Sequence, residues 1–219
     1  MPKNTDFWNF FDQVAAPQLA HRQATFRKIF EYLDLINGPI AIAETGCARL
    51  ENNWGGDGQS TVMFDRYINL RDQESTCHTV DINPTSVAAC KQLVSNRTTV
   101  TQADSVYYLS RLANEFEKNS RFISLLYLDS FDLDSTYWFQ SAAHHLKELT
   151  ALMRCINKST LVVVDDCPLV ANFIPAPNNQ MVLLSNPSIG GKGLLVAEFA
   201  NAVGAKLEFA EYQAGWSGF

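Results

Sequence analysis

The sequence contains no Cys-x-x-Cys pair among its five cysteines, Cys47, Cys77, Cys90, Cys155 and Cys167. Their odd number and wide spacing speak against a zinc ribbon, a thioredoxin-like redox pair and a disulfide-framed secreted fold, and they suit a reducing compartment. Nor is there an apolar stretch of the roughly 18 to 20 residues that a membrane span requires. The start, MPKNTDFWNFFDQVAAPQLAHR, is interrupted by Asp6, Asp12 and Pro17 and has no basic region followed by an apolar run, so it does not read as a signal peptide. Basic charge is scarce. The 17 Lys and Arg are outnumbered by 23 Asp and Glu, a net charge of −6, which argues against a broad basic face for nucleic acid. Internal repeats and low-complexity tracts are missing too. The expectation is a cytoplasmic protein that meets a small molecule, with no nucleic acid and no membrane as partner.

What is present is core-forming material. Hydrophobic residues make up 47% and charged residues 18% of 219 positions, enough for one sizeable core and cramped for two domains. Phe26, Ile29, Phe30, Leu33 and Ile36 recur every three or four positions, the spacing of one helix face, and Asn37-Gly38-Pro39 stops them. Residues 1–38 therefore read as an N-terminal helical extension and residues 39–219 as one domain. Phe7, Trp8, Phe10 and Phe11 read as a helix or lid within that extension, with a homodimer contact as the alternative.

Five short apolar runs follow: Ile40 to Ala43, His78 to Val80, Thr98 to Gln102, Ile123 to Leu128 and Leu161 to Val164. Runs without alternation are expected of parallel strands covered on both faces. Between them Ser60 to Leu70, Thr85 to Asn96, Ser105 to Lys118 and Thr136 to Ile156 read as helices. Repeated strand and helix units predict a Rossmann-like, doubly wound α/β sheet, mostly parallel, with helices on both faces. Cys167 to Gly193, rich in proline and glycine, reads as a loop able to close over a site. Beyond it, Gly193 to Ala202 and Lys206 to Gln213 give a helix or strand and then an antiparallel last strand, with Gly204 as the turn.

Ligands of such sheets bind outside the carboxyl ends of the strands, and there the five runs give way to Glu44, Asp81, Asp104, Asp129 and Asp165. One such carboxylate is an ordinary helix N-cap. Five together repel unless ligand hydroxyls, amides or a cation offset them. Gly46, where the chain leaves the first strand, lets a ligand approach the backbone. A second glycine cluster, Gly55 to Gly58, precedes the helix that begins at Ser60.

Glu44-Thr45-Gly46, Val80-Asp81, Ala103-Asp104-Ser105 and Leu128-Asp129-Ser130, taken in order and spacing, resemble the motifs of the class I S-adenosylmethionine-dependent methyltransferases from Ile40 to Tyr212. The resemblance implies S-adenosylmethionine as cofactor. Gly46 would lie under its methionine part with Glu44 nearby, Asp81 would accept from the ribose hydroxyls, and Asp104 with Ser105 would meet the adenine. A carboxylate that takes two donors suits the ribose. Glu44 and Asp81 lie 37 positions apart (81 − 44), against about 20 in a dinucleotide fold; the inserted Leu50 to Gly58 accounts for part of the excess.

Asp129 with the adjacent Asp165-Asp166 forms a hard oxygen trio suited to Mg²⁺. Such trios occur in metal-dependent O-methyltransferases, and the chain is most similar to the macrocin-type sugar O-methyltransferases. Their L-D-x-D-x-Y-x-S-T segment is matched between Leu128 and Thr136 at Asp129, Ser135 and Thr136, whereas Phe131 stands where the second aspartate belongs. The resemblance implies Mg²⁺ on Asp129, Asp165 and Asp166 and methyl transfer to an oxygen of a small, sugar-like acceptor. Asp129 and Asp132 would be the catalytic carboxylates, with Asp134 as a substitute base. His144 and His145 point about 100° apart on a helix, so at most one faces a site; His21 could reach over the cleft. The alternatives are a metal-dependent glycosyltransferase using Asp129 and Asp132, and a binding domain of the same fold without catalysis, which Phe131 favours.

Overall fold

Each of the five apolar runs forms a strand in the computed structural model, which describes residues 4–134, 136, 138–171, 173–183 and 187–219. They are β1 (Ala41–Thr45), β2 (Thr76–Asp81), β3 (Thr98–Gln102), β4 (Leu125–Leu128) and β5 (Leu161–Val164). Four short strands follow, β6 (Leu169–Val170), β7 (Phe173–Ala176), β8 (Gln180–Leu183) and β9 (Ser188–Ile189), then β10 (Lys206–Ala210) and β11 (Ala214–Ser217). Seven of these make one sheet in the order β10-β11-β5-β4-β1-β2-β3. β1 to β5 run parallel, and β11 lies antiparallel between β5 and β10. The architecture is the expected Rossmann-like, mostly parallel sheet with an antiparallel last strand.

The helices are α1 (Thr5–Phe10), α2 (Gln23–Leu35), α3 (Ser60–Arg71), α4 (Pro84–Leu93), α5 (Ser105–Lys118), α6 (Trp138–Leu152) and α7 (Leu194–Val203). Successive strand side chains point to opposite faces, and that alternation separates the two largest core clusters. Ile42, Cys77, Leu125, Tyr127, Leu161 and Val163 pack with Phe7, Phe11, Phe26, Phe30, Phe64 and Tyr67 on one face. Ala41, Ala43, Leu126, Leu128, Val162 and Val164 pack with residues of α5, α6 and α7 on the other. Among the described residues no helix is long and apolar enough to cross a membrane.

Phe7, Trp8 and Phe10 lie on a helix, as expected of this segment, and Phe7, Trp8 and Phe11 are buried in the first core. Three sequence expectations change. β3 is an edge strand and alternates between buried and exposed positions, unlike the wholly buried β4 and β5. The segment read as a closing loop holds two short antiparallel ladders, β6 with β9 and β7 with β8. The chain end supplies two strands, because Glu211 to Gln213 turn it back; the second of these strands, β11, is the one that pairs with β5. Ser135, one of the matched motif positions, lies outside the described residues.

Phe7 is fully buried, its ring 4.4 Å from that of Phe30 and 4.9 Å from that of Tyr67. Emptying a core aromatic site of this kind costs about 3 to 5 kcal/mol. Phe7→Ala is therefore expected to lower stability by that amount in urea unfolding; a loss under about 1 kcal/mol would show that the N-terminal segment is not part of the core.

Candidate functional site

Strand order reverses between β1 and β4, and ligands of open α/β sheets bind at that crevice. Two adjoining cavities, of about 200 and 330 Å³, open there and share Gly46, Asp81, Ile82 and Ser130. Gly46 has φ +78°, and a Cβ on it would lie 2.5 Å from the carbonyl oxygen of Asp129. It is glycine for a turn and for the close approach of the chain leaving β4, as well as for any ligand beside it.

The cofactor residues named from the sequence come together, with one exception. Asp81 lines both cavities, and its Oδ1 accepts from the Asn83 amide at 2.7 Å. Asp104 and Ser105 line the second. Asp104 also caps α5, accepting from the Tyr107 amide at 2.9 Å. Ser105 Oγ lies 3.0 Å from His144 Nε2, and the His144 and Phe131 rings, 5.6 Å apart, border the same cavity. His144 is thus the histidine that faces the cleft. His145 is fully buried, with its Nδ1 bonded to the Ser141 carbonyl at 2.7 Å.

Glu44 is the exception. It is fully buried and borders neither cavity. Its carboxylate accepts from Ser60 Oγ at 2.6 Å and from Thr61 Oγ1 at 2.7 Å, tying β1 to the first turn of α3, whose left-handed Gln59 provides no side-chain cap. The side chain alternation of β1 that sends Glu44 to α3 sends Thr45 to α6, where its hydroxyl donates to Glu148. Burial lifts the Glu44 pKa to about 7, against the pull of the Ser60, Thr61 and Thr79 hydroxyls. Glu148 is also buried, but His144 and Ser130 bonded to its carboxylate keep it below its ordinary value. The hydrogen bond to Glu148 raises the pKa of His144 in return.

Asp129, Asp165 and Asp166 converge as the sequence predicts, with one carboxylate oxygen of each within 4.8 Å of the others. Asp129 keeps 22% of its side chain exposed and borders the first cavity. Asp165 is fully buried, and both its oxygens accept from Arg22 Nε, at 3.1 and 2.9 Å. Asp166, left-handed at φ +46°, accepts from Tyr212 at 2.5 Å and pairs with Arg22 at 3.4 Å. Lys192, 1% exposed, pairs with Asp129 and, at 2.9 Å, with Asp166. Burial opposes its charge, but Asp129 and Asp166 outweigh that effect and hold the ammonium protonated. Two cations thus face three carboxylates. Burial pushes Asp129 and Asp165 upward, while Lys192 and Tyr212 overcome it at Asp166.

This arrangement bears on the Mg²⁺ expectation, because the same three carboxylates have the spacing of a metal-binding group. Mg²⁺ needs oxygens about 2.0 to 2.1 Å away in a near-octahedral shell, whereas both oxygens of Asp165, both of Asp166 and one of Asp129 are engaged by Arg22, Lys192 and Tyr212. As they stand, the three residues do not fit Mg²⁺. Asp132 also borders the first cavity, but its exposed carboxylate is turned to Arg49 at 3.7 Å. His21 lies at the surface beside Tyr212. The sequence reading passed over Arg22, Lys192 and Tyr212. The one available signal was a lysine set among glycines in Gly190-Gly191-Lys192-Gly193.

No protein-family model matches the chain, and no curated protein matches it. Among solved structures it is similar to DhpI in a complex with SAH, 11% identical over 99% of this chain and 96% of that one, TM-score 0.48. It is similar to an S-adenosylmethionine-dependent methyltransferase from Clostridium acetobutylicum, 9% identical over 97% and 96%, TM-score 0.49. A further likeness is to the mitomycin 7-O-methyltransferase MmcR, 11% identical over 96% and 59%, TM-score 0.47. At such likeness the function has to come from the chemistry of the cleft itself.

The pKa of Glu44 rises from 4.5 to about 7 on folding, so between those values the folded state binds more protons than the unfolded one and stability falls as pH rises. The shift corresponds to about 3 kcal/mol. Glu44→Gln should remove this contribution, so that its stability relative to the wild type improves across that window in urea unfolding. A difference constant with pH would show that Glu44 is ionised in the fold throughout.

Proposed function

We propose that the protein is an S-adenosylmethionine-dependent methyltransferase that methylates an oxygen of a small acceptor. The observation that carries this reading is the pair of adjoining cavities at the carboxyl ends of β1 to β4, bordered in turn by Gly46, Asp81, Asp104 with Ser105, and Asp129. Asp81 is the hydrogen-bond acceptor for ribose hydroxyls, since a carboxylate retains lone pairs beyond the one used by Asn83. The second cavity, with Ser105, His144 and Phe131, offers a ring face and polar edges to an adenine. The bound cofactor would supply a methyl group on a sulfonium, a strong electrophile that needs little beyond a well-placed oxygen.

Asp129 is the group placed to take the acceptor's proton. It borders the cavity, and burial raises its affinity for a proton, which suits a general base working near neutral pH. Asp132, directed at Arg49, lines the acceptor side of the same cavity. A separate cavity of about 610 Å³ lies against the loop that carries Lys192, bordered by Leu133, Trp138, Pro168, Val170, Ile189 and Leu194.

Calorimetry with S-adenosylhomocysteine tests the cofactor assignment. The wild type should bind it, and Asp81→Ala should lose about 1.5 to 3 kcal/mol, the range for hydrogen bonds to a charged group. Unchanged affinity in folded Asp81→Ala would overturn the placement, and binding of nucleotide sugars in its stead would point to a glycosyltransferase.

A further inference from the structure

The loop after β9 is built around one side chain. Gly191 has φ +56°, and a Cβ on it would lie 2.2 Å from the Asp166 carbonyl oxygen; a Cβ on Gly193 would lie 2.4 Å from Cys167 Sγ. Two glycines therefore let the backbone press against Asp166 and Cys167. The Lys192 amide, between them, donates to the Asp166 carbonyl at 3.2 Å. From that anchorage the side chain runs inward until its ammonium meets Asp129 and Asp166. An ordinary surface lysine needs none of this, and a buried one is tolerated only when paired.

We propose that the Lys192 ammonium is the resident cation of the Asp129, Asp165 and Asp166 cluster, standing where a divalent metal would otherwise bind and holding the Asp129 carboxylate toward the cleft. The ammonium and a metal ion would compete for the same carboxylate oxygens, and Arg22 already holds both oxygens of Asp165. With all three carboxylates ionised, Arg22 and Lys192 leave the cluster one formal negative charge; without Lys192 it would carry two, enough to call for a cation. Lys192 is a positioning residue, acting through Asp129. Its bearing on methyl transfer rests on the reading of the preceding section, and it implies that the reaction survives chelation of metals.

The test follows free Mn²⁺ by electron paramagnetic resonance during titration of chelator-treated protein. The wild type should take up no Mn²⁺ at the cluster up to about 1 mM, the weak end of natural divalent sites. Lys192→Met should gain one site at least about tenfold tighter than any in the wild type, and Lys192→Met with Asp129→Asn should lose it. Stoichiometric binding to the wild type that Asp129→Asn abolishes would overturn the proposal, as would a folded Lys192→Met that gains no site. If Lys192→Met does not fold alone, Mn²⁺ should restore its circular dichroism signal, and failure to do so also counts against the proposal. S-adenosylhomocysteine calorimetry on the same wild-type preparation scores the cofactor reading separately. A chain that binds neither ligand would lose the methyltransferase reading and keep its resident lysine.

Discussion

Three carboxylates meet where β4 and β5 end, and the fold has to neutralise them out of water. Charges buried without partners cost several kcal/mol each, and removing one member of a buried pair typically costs about 3 to 5 kcal/mol. The partners come from far along the chain in both directions. Arg22 arrives from just before α2, 143 positions from Asp165, and Lys192 arrives from the loop after β9. The same guanidinium donates to the Gly56 carbonyl at 3.2 Å and lies 4.6 Å from the centre of the Tyr212 ring. One electrostatic requirement thereby draws together the N-terminal segment, the glycine-rich loop before α3, the two central strand ends and the turn before β11.

That requirement bears on how the N-terminal residues pack against the sheet. Arg22 can reach Asp165 only if the chain before α2 lies across the carboxyl end of the sheet. The aromatic side chains of α1, of the turn that follows and of α2 then fill the face beneath, where Phe7, Phe11, Phe26 and Phe30 pack with Tyr67 and Tyr127. Hydrophobic burial supplies most of the driving force, and the ion pair fixes the direction from which the chain enters.

The strands, their order of appearance and their acidic ends were legible because each lies in a short local pattern, such as Leu161 to Val164 followed by Asp165. That Gly46, Asp81, Asp104, Ser105 and Asp129 border one cleft was legible for the same reason, since a residue at a strand end lies at the mouth of the sheet. What was not legible depends on pairing across distance. Glu44 looks like the others in sequence, but the alternation of β1 turns it under α3, to hydroxyls 16 and 17 positions away. Arg22 and Lys192 sit in no motif, and each gains its meaning from a carboxylate on another element. The acidic trio was correctly grouped, while the nature of its counter-charge could not be read from the carboxylates alone.

The closest constraint at the cleft joins the two halves of the proposed chemistry. Under the proposed function Gly46 would mark the cofactor side and Asp129 the acceptor side, and a single added methyl at Gly46 would lie 2.5 Å from the Asp129 carbonyl oxygen. The Asp129 amide in turn donates to the Thr45 carbonyl at 3.0 Å. The two residues are thus fixed to one another through the backbone of adjacent strands, with no flexible side chain between them. Reactions that depend on placing an oxygen in line with a carbon lose rate steeply when that placement shifts by even about 1 Å. A cleft whose two sides are joined by β1 and β4 themselves, with Asp129 held by a buried lysine, obtains its alignment from the sheet.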